Sequence, residues 1–178
     1  MLFSSLVYFF FFLCFFPLYI LSGARLQLYV VIAGSLFFYS YWNVASLWVP
    51  LLMTCIGFVA VRTAQGLATG RWRTLQFALS VAILLVPLIV FKYSRFIGEN
   101  VLFLGGLTDL VPRDAKLPLG ISFITFSMLA YVIDVHRRNY PPDTDFKTLV
   151  GFACFFPHLI AGPILRPAEL IPQSARHK

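Results

Sequence analysis

The chain has 178 residues, of which 60% are hydrophobic and 12% charged, and its mean hydropathy is +0.84. Soluble domains are about 45–50% apolar and about 25% charged, so this composition excludes an ordinary soluble protein and predicts an integral membrane protein in contact with the lipid bilayer. The formal net charge is +7, but the basic residues fall between apolar runs, where they are typical of topology determinants and headgroup contacts. No basic patch interleaved with aromatic residues lies in a polar domain, so we expect no nucleic-acid binding.

Five apolar runs follow one another along the chain and predict an all-α fold, a polytopic transmembrane helical bundle. They cover residues 2–21, 26–42, 44–61, 75–91 and 117–135. About 20 helical residues rise about 30 Å, which matches the hydrocarbon core of a bilayer. A cleaved signal peptide would need a basic start, and no Lys or Arg precedes Arg25. The first run is therefore expected to remain as a span.

Two segments interrupt this pattern within a single membrane domain, 1–178. Residues 98–116 contain two adjacent glycines, a proline and three acids, which predicts an extramembrane loop. Residues 146–156 are too short to span and lead into a break at 157–166, which contains two prolines and a glycine. Irregular backbone at membrane depth is tolerated only where protein buries it or where it lines a wet cavity. Residues 157–166 are therefore predicted to form a broken or re-entrant segment that lines a cavity.

His158 lies at this break and is the first candidate for chemistry. Transfer of an acyl group to a hydroxyl needs a base for the alcohol proton, and the pKa of histidine suits that role. No carboxylate lies within a helical turn of it, and Glu169 is the nearest acid downstream. Three roles stay open for His158: catalytic base, polar lining of the cavity, and structural hydrogen bonding.

Other polar or special residues are candidates for the cavity wall or for substrate contact. Gly162 and Pro163 permit close backbone approach and stop a helix. Arg166 either holds a phosphate or carboxylate in its planar fork or snorkels to the headgroups. Ser122 and Thr125 lie three residues apart in the fifth run, so they can share a helix face.

Asp134 stands three and four residues before Arg137 and Arg138, a spacing at which charges pair on a helix. An acid within a membrane segment is a functional hypothesis by default. Because Asp134 is close to the end of its run, a structural ion pair is the favoured interpretation.

The sequence predicts no metal site and no bound cofactor. Its cysteines are Cys14, Cys55 and Cys154; all lie in apolar runs without the spacing of metal ligands. They are predicted to be small buried hydrophobes.

Three segments carry a resemblance to a known family. Residues 155–166 read FFPHLIAGPILR, residues 117–123 read LPLGISF, and residues 131–137 read YVIDVHR. With these segments the chain resembles the membrane-bound O-acyltransferase family, in the branch of the bacterial alginate O-acetyltransferase membrane subunit. The resemblance runs over nearly the whole chain but covers only the N-terminal part of such an enzyme.

The resemblance implies an acetyltransferase of the bacterial inner membrane. Such an enzyme passes an acetyl group from a donor such as acetyl-CoA to hydroxyls of an exported polysaccharide such as alginate, together with extracytoplasmic polysaccharide-acetylation or biosynthesis proteins. The alternative is a non-catalytic membrane scaffold or a transporter-like fragment, since transporters also use broken helices.

The resemblance also implies where the catalytic histidine of the family belongs. It lies in a later apolar helix that has no counterpart among residues 1–178, so we expect it beyond Lys178. We therefore expect no catalytic residue in this chain and no activity from it alone.

The distribution of charge predicts the orientation, if the spans alternate. One side collects seven basic residues, namely Arg25, Arg62, Arg71, Arg73, Arg137, Arg138 and Lys147; the other collects four, namely Lys92, Arg95, Arg113 and Lys116. The positive-inside rule then places the N-terminus outside.

Overall fold

The computed structural model describes residues 6–66, 70–93, 118–137 and 143–157. Within these ranges all regular elements are helical, as the predicted all-α class requires. The helices are α1 (Leu6–Leu21), α2 (Ala24–Asn43), α3 (Trp48–Gln65), α4 (Arg71–Leu88), α5 (Ile121–His136) and α6 (Phe146–Ala153), with a 3₁₀ turn over Val44–Ser46 and a π-helical turn over Ile89–Tyr93. The predicted loop at 98–116 lies outside the described residues.

Two helical stretches are long and apolar enough to cross a membrane. Val44–Gln65 has 22 residues and Arg71–Tyr93 has 23. The helices Leu6–Leu21 and Ile121–His136, and the part Leu26–Tyr41 of α2, are apolar but shorter. This composition indicates membrane association, while the full set of five spans stays a prediction.

The helix pairs α3/α4 and α4/α5 are antiparallel. In α3 and α4, Ala60 accepts a hydrogen bond of 2.7 Å from the side chain of Gln76, so the end of one helix lies beside the start of the next. In α4 and α5, Arg73 reaches the backbone of His136 at one end. At the other end of the same pair, Lys92 lies 3.5 Å from the hydroxyl of Ser122. This arrangement agrees with the alternation on which the charge argument rests.

Two helix boundaries differ from the sequence-based expectation. The fifth apolar run was predicted from residue 117, but its helix begins only at Ile121, after Gly120, which adopts a left-handed φ of 63°. The expected break at Pro157 comes earlier, since α6 ends at Ala153 and Phe156 and Pro157 are helical again. At Pro157 the reason is that proline lacks only an N–H that is unpaired anyway in a first turn, so it starts a helix more readily than it ends one.

The core lies where α3, α4 and α5 meet. Met53, Leu84 and Met128 are fully buried there. A Cβ atom added at Gly57 would stand 3.1 Å from the sulfur of Met128, so α3 and α5 approach closely at this glycine. Buried polar residues share the interior with the apolar ones; they include Thr54, Thr125, Ser127 and Asp134.

The prediction for the cysteines is correct at one position and wrong at two. Cys154 is buried, but Cys14 and Cys55 are exposed. They lie on outward faces of α1 and α3, where a chain in a bilayer meets lipid and an apolar thiol is not forced inside.

Candidate functional site at the helix break

Helix α6 leads into the predicted break and is docked along α2. The Lys147 ammonium donates a 2.9 Å hydrogen bond to the Tyr29 hydroxyl and lies 5.4 Å from the centre of that ring. The hydrogen bond raises the pKa of Lys147. One turn further, a Cβ atom at Gly151 would stand 2.8 Å from the side chain of Leu28, so Leu28 packs directly on the backbone of α6 where glycine leaves room for it. This contact fixes the direction in which α6 enters the bundle.

Phe156, just after the end of α6, is enclosed by aromatic rings from the first two helices. Its ring centre lies 5.2 Å from that of Phe11, 5.2 Å from that of Phe15 and 5.4 Å from that of Phe38. The first two contacts are edge-to-face, a geometry that aromatic quadrupoles favour. Phe156 is only 1% exposed. The chain is therefore anchored at the residue before Pro157.

A serine of α2 satisfies the backbone at the same point. The hydroxyl of Ser35 accepts a 3.3 Å hydrogen bond from the backbone N–H of Phe156. Ser35 is fully buried, and an unpaired peptide group in hydrocarbon costs several kcal/mol. This is the protein-supplied partner that irregular backbone at membrane depth requires.

The anchor lies deep in the bundle. Ser35 is 11 residues after the start of α2 at Ala24, which at 1.5 Å per residue is roughly 17 Å along the helix. The chain thus enters the 157–166 segment near the middle of α2 and not at its end.

The candidates beyond the anchor fall outside the part of the chain that the structure describes, which ends at Pro157. They are His158, Gly162, Pro163 and Arg166, and their roles stay predictions. Lys178 lies outside the described residues as well. The expectation that the catalytic histidine of the family lies beyond Lys178, and not in this chain, therefore also stays a prediction.

The two polar candidates of α5 are placed differently from each other. Thr125 is fully buried, and its hydroxyl donates a 2.8 Å hydrogen bond to the carbonyl of Ile121 in the preceding turn. Ser122 is half-buried and faces Lys92. Apolar grooves of about 540 Å³ between α3 and α4 and about 520 Å³ between α1 and α2 are lined by other residues. The cavity-lining role of both side chains stays a prediction.

Asp134 is buried at 8% exposure near the end of α5, and Arg137 is the exposed residue that caps this helix. Arg138 lies outside the described residues. The ion pair expected among these three residues therefore stays a prediction.

Sequence reasoning missed Ser35, Phe156 and Tyr39. Tyr39 is 1% exposed, and its hydroxyl has no hydrogen-bond partner in the described structure. A serine such as Ser35 in an otherwise apolar run is a signal for an inward-facing position, since a hydroxyl gains nothing from lipid. That signal does not reveal its partner 121 residues later. Among the described residues, no three His, Cys, Asp or Glu side chains gather as metal ligands.

Comparison with known proteins gives matches along nearly the whole chain. It is 35% identical over 185 residues to the probable alginate O-acetylase AlgI of Pseudomonas putida, which covers 97% of this chain and 37% of that protein. The corresponding Pseudomonas aeruginosa protein is 36% identical over 188 residues, covering 97% of this chain and 34% of that protein. A peptidoglycan O-acetyltransferase of Helicobacter pylori is 32% identical over 174 residues, covering 83% of this chain and 32% of that protein.

No family model and no solved structure matches the chain. The chain spans about a third of the length of the curated relatives it matches. Its similarity to them confirms the resemblance predicted from the sequence: the chain is a homologue of the alginate O-acetylases over 97% of its length.

Proposed function

We propose that the chain is part of a membrane O-acyltransferase that passes an acetyl group to hydroxyls of an exported polysaccharide. The observation that carries this proposal is its 35–36% identity, over 97% of its length, to two proteins named alginate O-acetylase. Alginate is the acceptor that those names suggest, and peptidoglycan is the acceptor of the Helicobacter pylori relative. The acyl donor is acetyl-CoA or a similar thioester, and the partners are proteins of polysaccharide synthesis and acetylation.

The role of these residues in such an enzyme is to build and position part of a confined site. The buried anchor formed by Ser35 and Phe156 holds the start of the 157–166 segment at depth. In the proposed enzyme this segment lines the acyl cavity, with Arg166 near one mouth. Confinement of donor and acceptor in a fixed geometry supplies much of the rate of an acyl transfer.

Deletion of the coding sequence of this chain tests the proposal. We expect ester-linked acetate on the exported polysaccharide, released by mild base and quantified by chromatography, to fall and to return on complementation. Equal acetate in deletion and parent cells would contradict the proposed function. A deletion that removes the polysaccharide itself, with normal acetate per sugar on what remains, would favour a scaffold.

The proposed orientation places the basic end of the bundle in the cytoplasm and the N-terminus outside. This end holds Arg62, Arg71 and Arg73, together with Lys147 and the end of α5. The antiparallel pairs α3/α4 and α4/α5 support this proposal. The test replaces Arg138 by cysteine in a variant without native cysteines and labels intact cells with an impermeant maleimide. Labelling of this cysteine in intact cells would show that the proposed orientation is wrong.

A further inference from the structure

A cationic corner forms where the start of α4 meets the end of α5. Arg73 in the first turn of α4 donates a 3.4 Å hydrogen bond from Nη2 to the backbone carbonyl of His136, the last residue of α5. The imidazole of His136 lies flat on Phe77, with ring centres 4.1 Å apart and planes at 17°. The side chains of the two helices are thus held together in one place. We call Arg73, His136 and Arg137 the cationic corner.

The charges of this corner are of one sign. The groups that act electrostatically on the imidazole are the guanidinium groups of Arg73 and Arg137. Residues 66–73 and 137–142, which flank the corner in sequence, contain no Asp or Glu. Asp134 lies two residues before His136, which is about 200° around the helix. Asp143 and Asp145 follow at the start of α6, and neither is among the charges that act on the imidazole. The two guanidinium charges repel one another, so the corner favours an anion.

Two nitrogen atoms of the corner have no hydrogen-bond partner among the described residues. Nε of Arg73 and Nδ1 of His136 are both buried and without a hydrogen bond in the described structure. A buried donor without an acceptor is destabilising. Guanidinium is the side chain that best matches phosphate oxygens, because its planar fork donates two parallel hydrogen bonds.

The position of the corner also favours a ligand at a membrane surface. It lies at the basic end of the bundle, next to Trp72, which is 74% exposed. An exposed tryptophan beside arginines is typical of the level of the lipid headgroups. The start of α4 has no side-chain cap, and the positive end of a helix dipole adds to the attraction for an anion.

We propose that the cationic corner is a binding site for a phosphate group, with Arg73 as its principal ligand, Arg137 as a supporting cation and His136 as a hydrogen-bonding side chain. Two kinds of molecule can supply this phosphate group: an anionic phospholipid, through its headgroup, and a coenzyme A-type molecule, through its phosphates. The proposal is independent of acetyl transfer, because it concerns binding by the chain itself.

The test measures binding by the purified 178-residue chain in a nonionic detergent, with two probes. Native mass spectrometry counts retained phosphatidylglycerol against phosphatidylcholine, and thermophoresis follows titration with coenzyme A. We expect saturable binding of at least one probe, weakened about tenfold or more by Arg73→Gln, because a charge-assisted hydrogen bond to phosphate is lost. Loss confined to phosphatidylglycerol assigns the site to lipid, and loss confined to coenzyme A assigns it to the soluble phosphate.

Arg62→Gln is the matched control, since it removes the same charge at the same end but from a side chain that packs on Phe58, 5.1 Å away. We expect it to leave binding unchanged. If Arg62→Gln weakens binding as much as Arg73→Gln, the attraction is only the diffuse charge of the basic end and the proposal is wrong. The absence of saturable binding of either probe also overturns it, because Arg73 then serves only to cap α5.

Exposed Arg137 supplies a second variant that does not touch the packing of the two helices. We expect Arg137→Gln to weaken binding of the same probe by a smaller factor than Arg73→Gln does. The helical circular dichroism should stay unchanged. If Arg73→Gln fails to fold, this variant decides the matter: unchanged binding by folded Arg137→Gln would overturn the cationic corner as a site.

Discussion

Helices α1 and α5 have the same length and similar apolar sequences, yet they occupy opposite environments. Each has 16 residues. Ten residues of α5 are buried, among them Thr125, Ser127 and Asp134, whereas none of α1 is. Helix α1 exposes phenylalanine and leucine side chains, whereas α5 carries its serine, threonine and aspartate side chains in the interior of the bundle.

This contrast is the one expected of apolar helices in a membrane-associated chain. Lipid tails are as apolar as leucine, so a hydrophobic side chain has no reason to turn inward. Small and polar residues do, because close packing and hydrogen bonds are available only against other helices. In this chain the informative residues of an apolar run are its serines, threonines and glycines.

The sharpest test of the contrast is a matched truncation in each helix. Met128→Ala removes a fully buried side chain of α5 and leaves a cavity, so we expect a loss of about 2–5 kcal/mol in the free energy of unfolding. Leu13→Ala in α1, where the side chain is 57% exposed, should change it by less than about 0.5 kcal/mol. Denaturant unfolding in detergent measures both, and equal losses would refute the assignment of inner and outer helices.

A second test concerns the buried anchor of the break. Ser35→Ala leaves the N–H of Phe156 without an acceptor, and we expect about 1–3 kcal/mol of destabilisation from this orphaned donor. Ser22→Ala is the control, because the Ser22 hydroxyl, just after the end of α1, donates to the carbonyl of Leu18 four residues earlier and to no distant segment in the described structure. The same unfolding assay applies. A Ser35→Ala protein as stable as the Ser22→Ala protein would show that water or a shifted backbone satisfies the break equally well.

A smaller effect is expected at the polar link between α3 and α4. The Gln76 amide donates to the carbonyl of Ala60 at 2.7 Å and to the hydroxyl of Thr63 at 3.0 Å, both in α3. Interhelical hydrogen bonds in membrane proteins contribute about 0.6 kcal/mol on average and at most about 1.7 kcal/mol. We therefore expect Gln76→Leu to lower the free energy of unfolding by about 0.6–1.7 kcal/mol. Gln65→Leu, at the exposed end of α3, is the control. Increased stability of Gln76→Leu would mean that packing outweighs the polar link.

The sequence predicted the helices better than their boundaries. Apolar runs located all five long helices, because a run without charge has few alternatives to a helix in a membrane. Boundaries depended on local backbone geometry, and the left-handed Gly120 before α5 is not visible in a hydropathy pattern. Proline at 157 indicated that the helix breaks, but not that Pro157 stands on the far side of the break.

Prediction of the site failed for a different physical reason. Sequence patterns detect partners within a turn or two, whereas the anchor joins Ser35 to Phe156 across 121 positions. Candidates were therefore selected by side-chain chemistry, as with Thr125, whose hydroxyl bonds within its own helix. Ser35 could not be predicted as the partner of Phe156, because a single serine in an apolar run forms no local sequence motif.

The smallest expected effect lies at the surface, where α6 begins. The hydrogen bond to Tyr29 raises the pKa of Lys147 above its ordinary value of 10.5. A raised native pKa stabilises the fold fully below the unfolded pKa, and this contribution is lost as the pH rises through the native value. Lys147→Met should therefore lower the melting temperature slightly near neutral pH, and the difference from wild type should disappear in strongly alkaline buffer. Thermal scans across that range measure it. In a Tyr29→Phe background the same replacement should show no such pH dependence; if it does, the stabilisation comes from a group other than the Tyr29 hydroxyl.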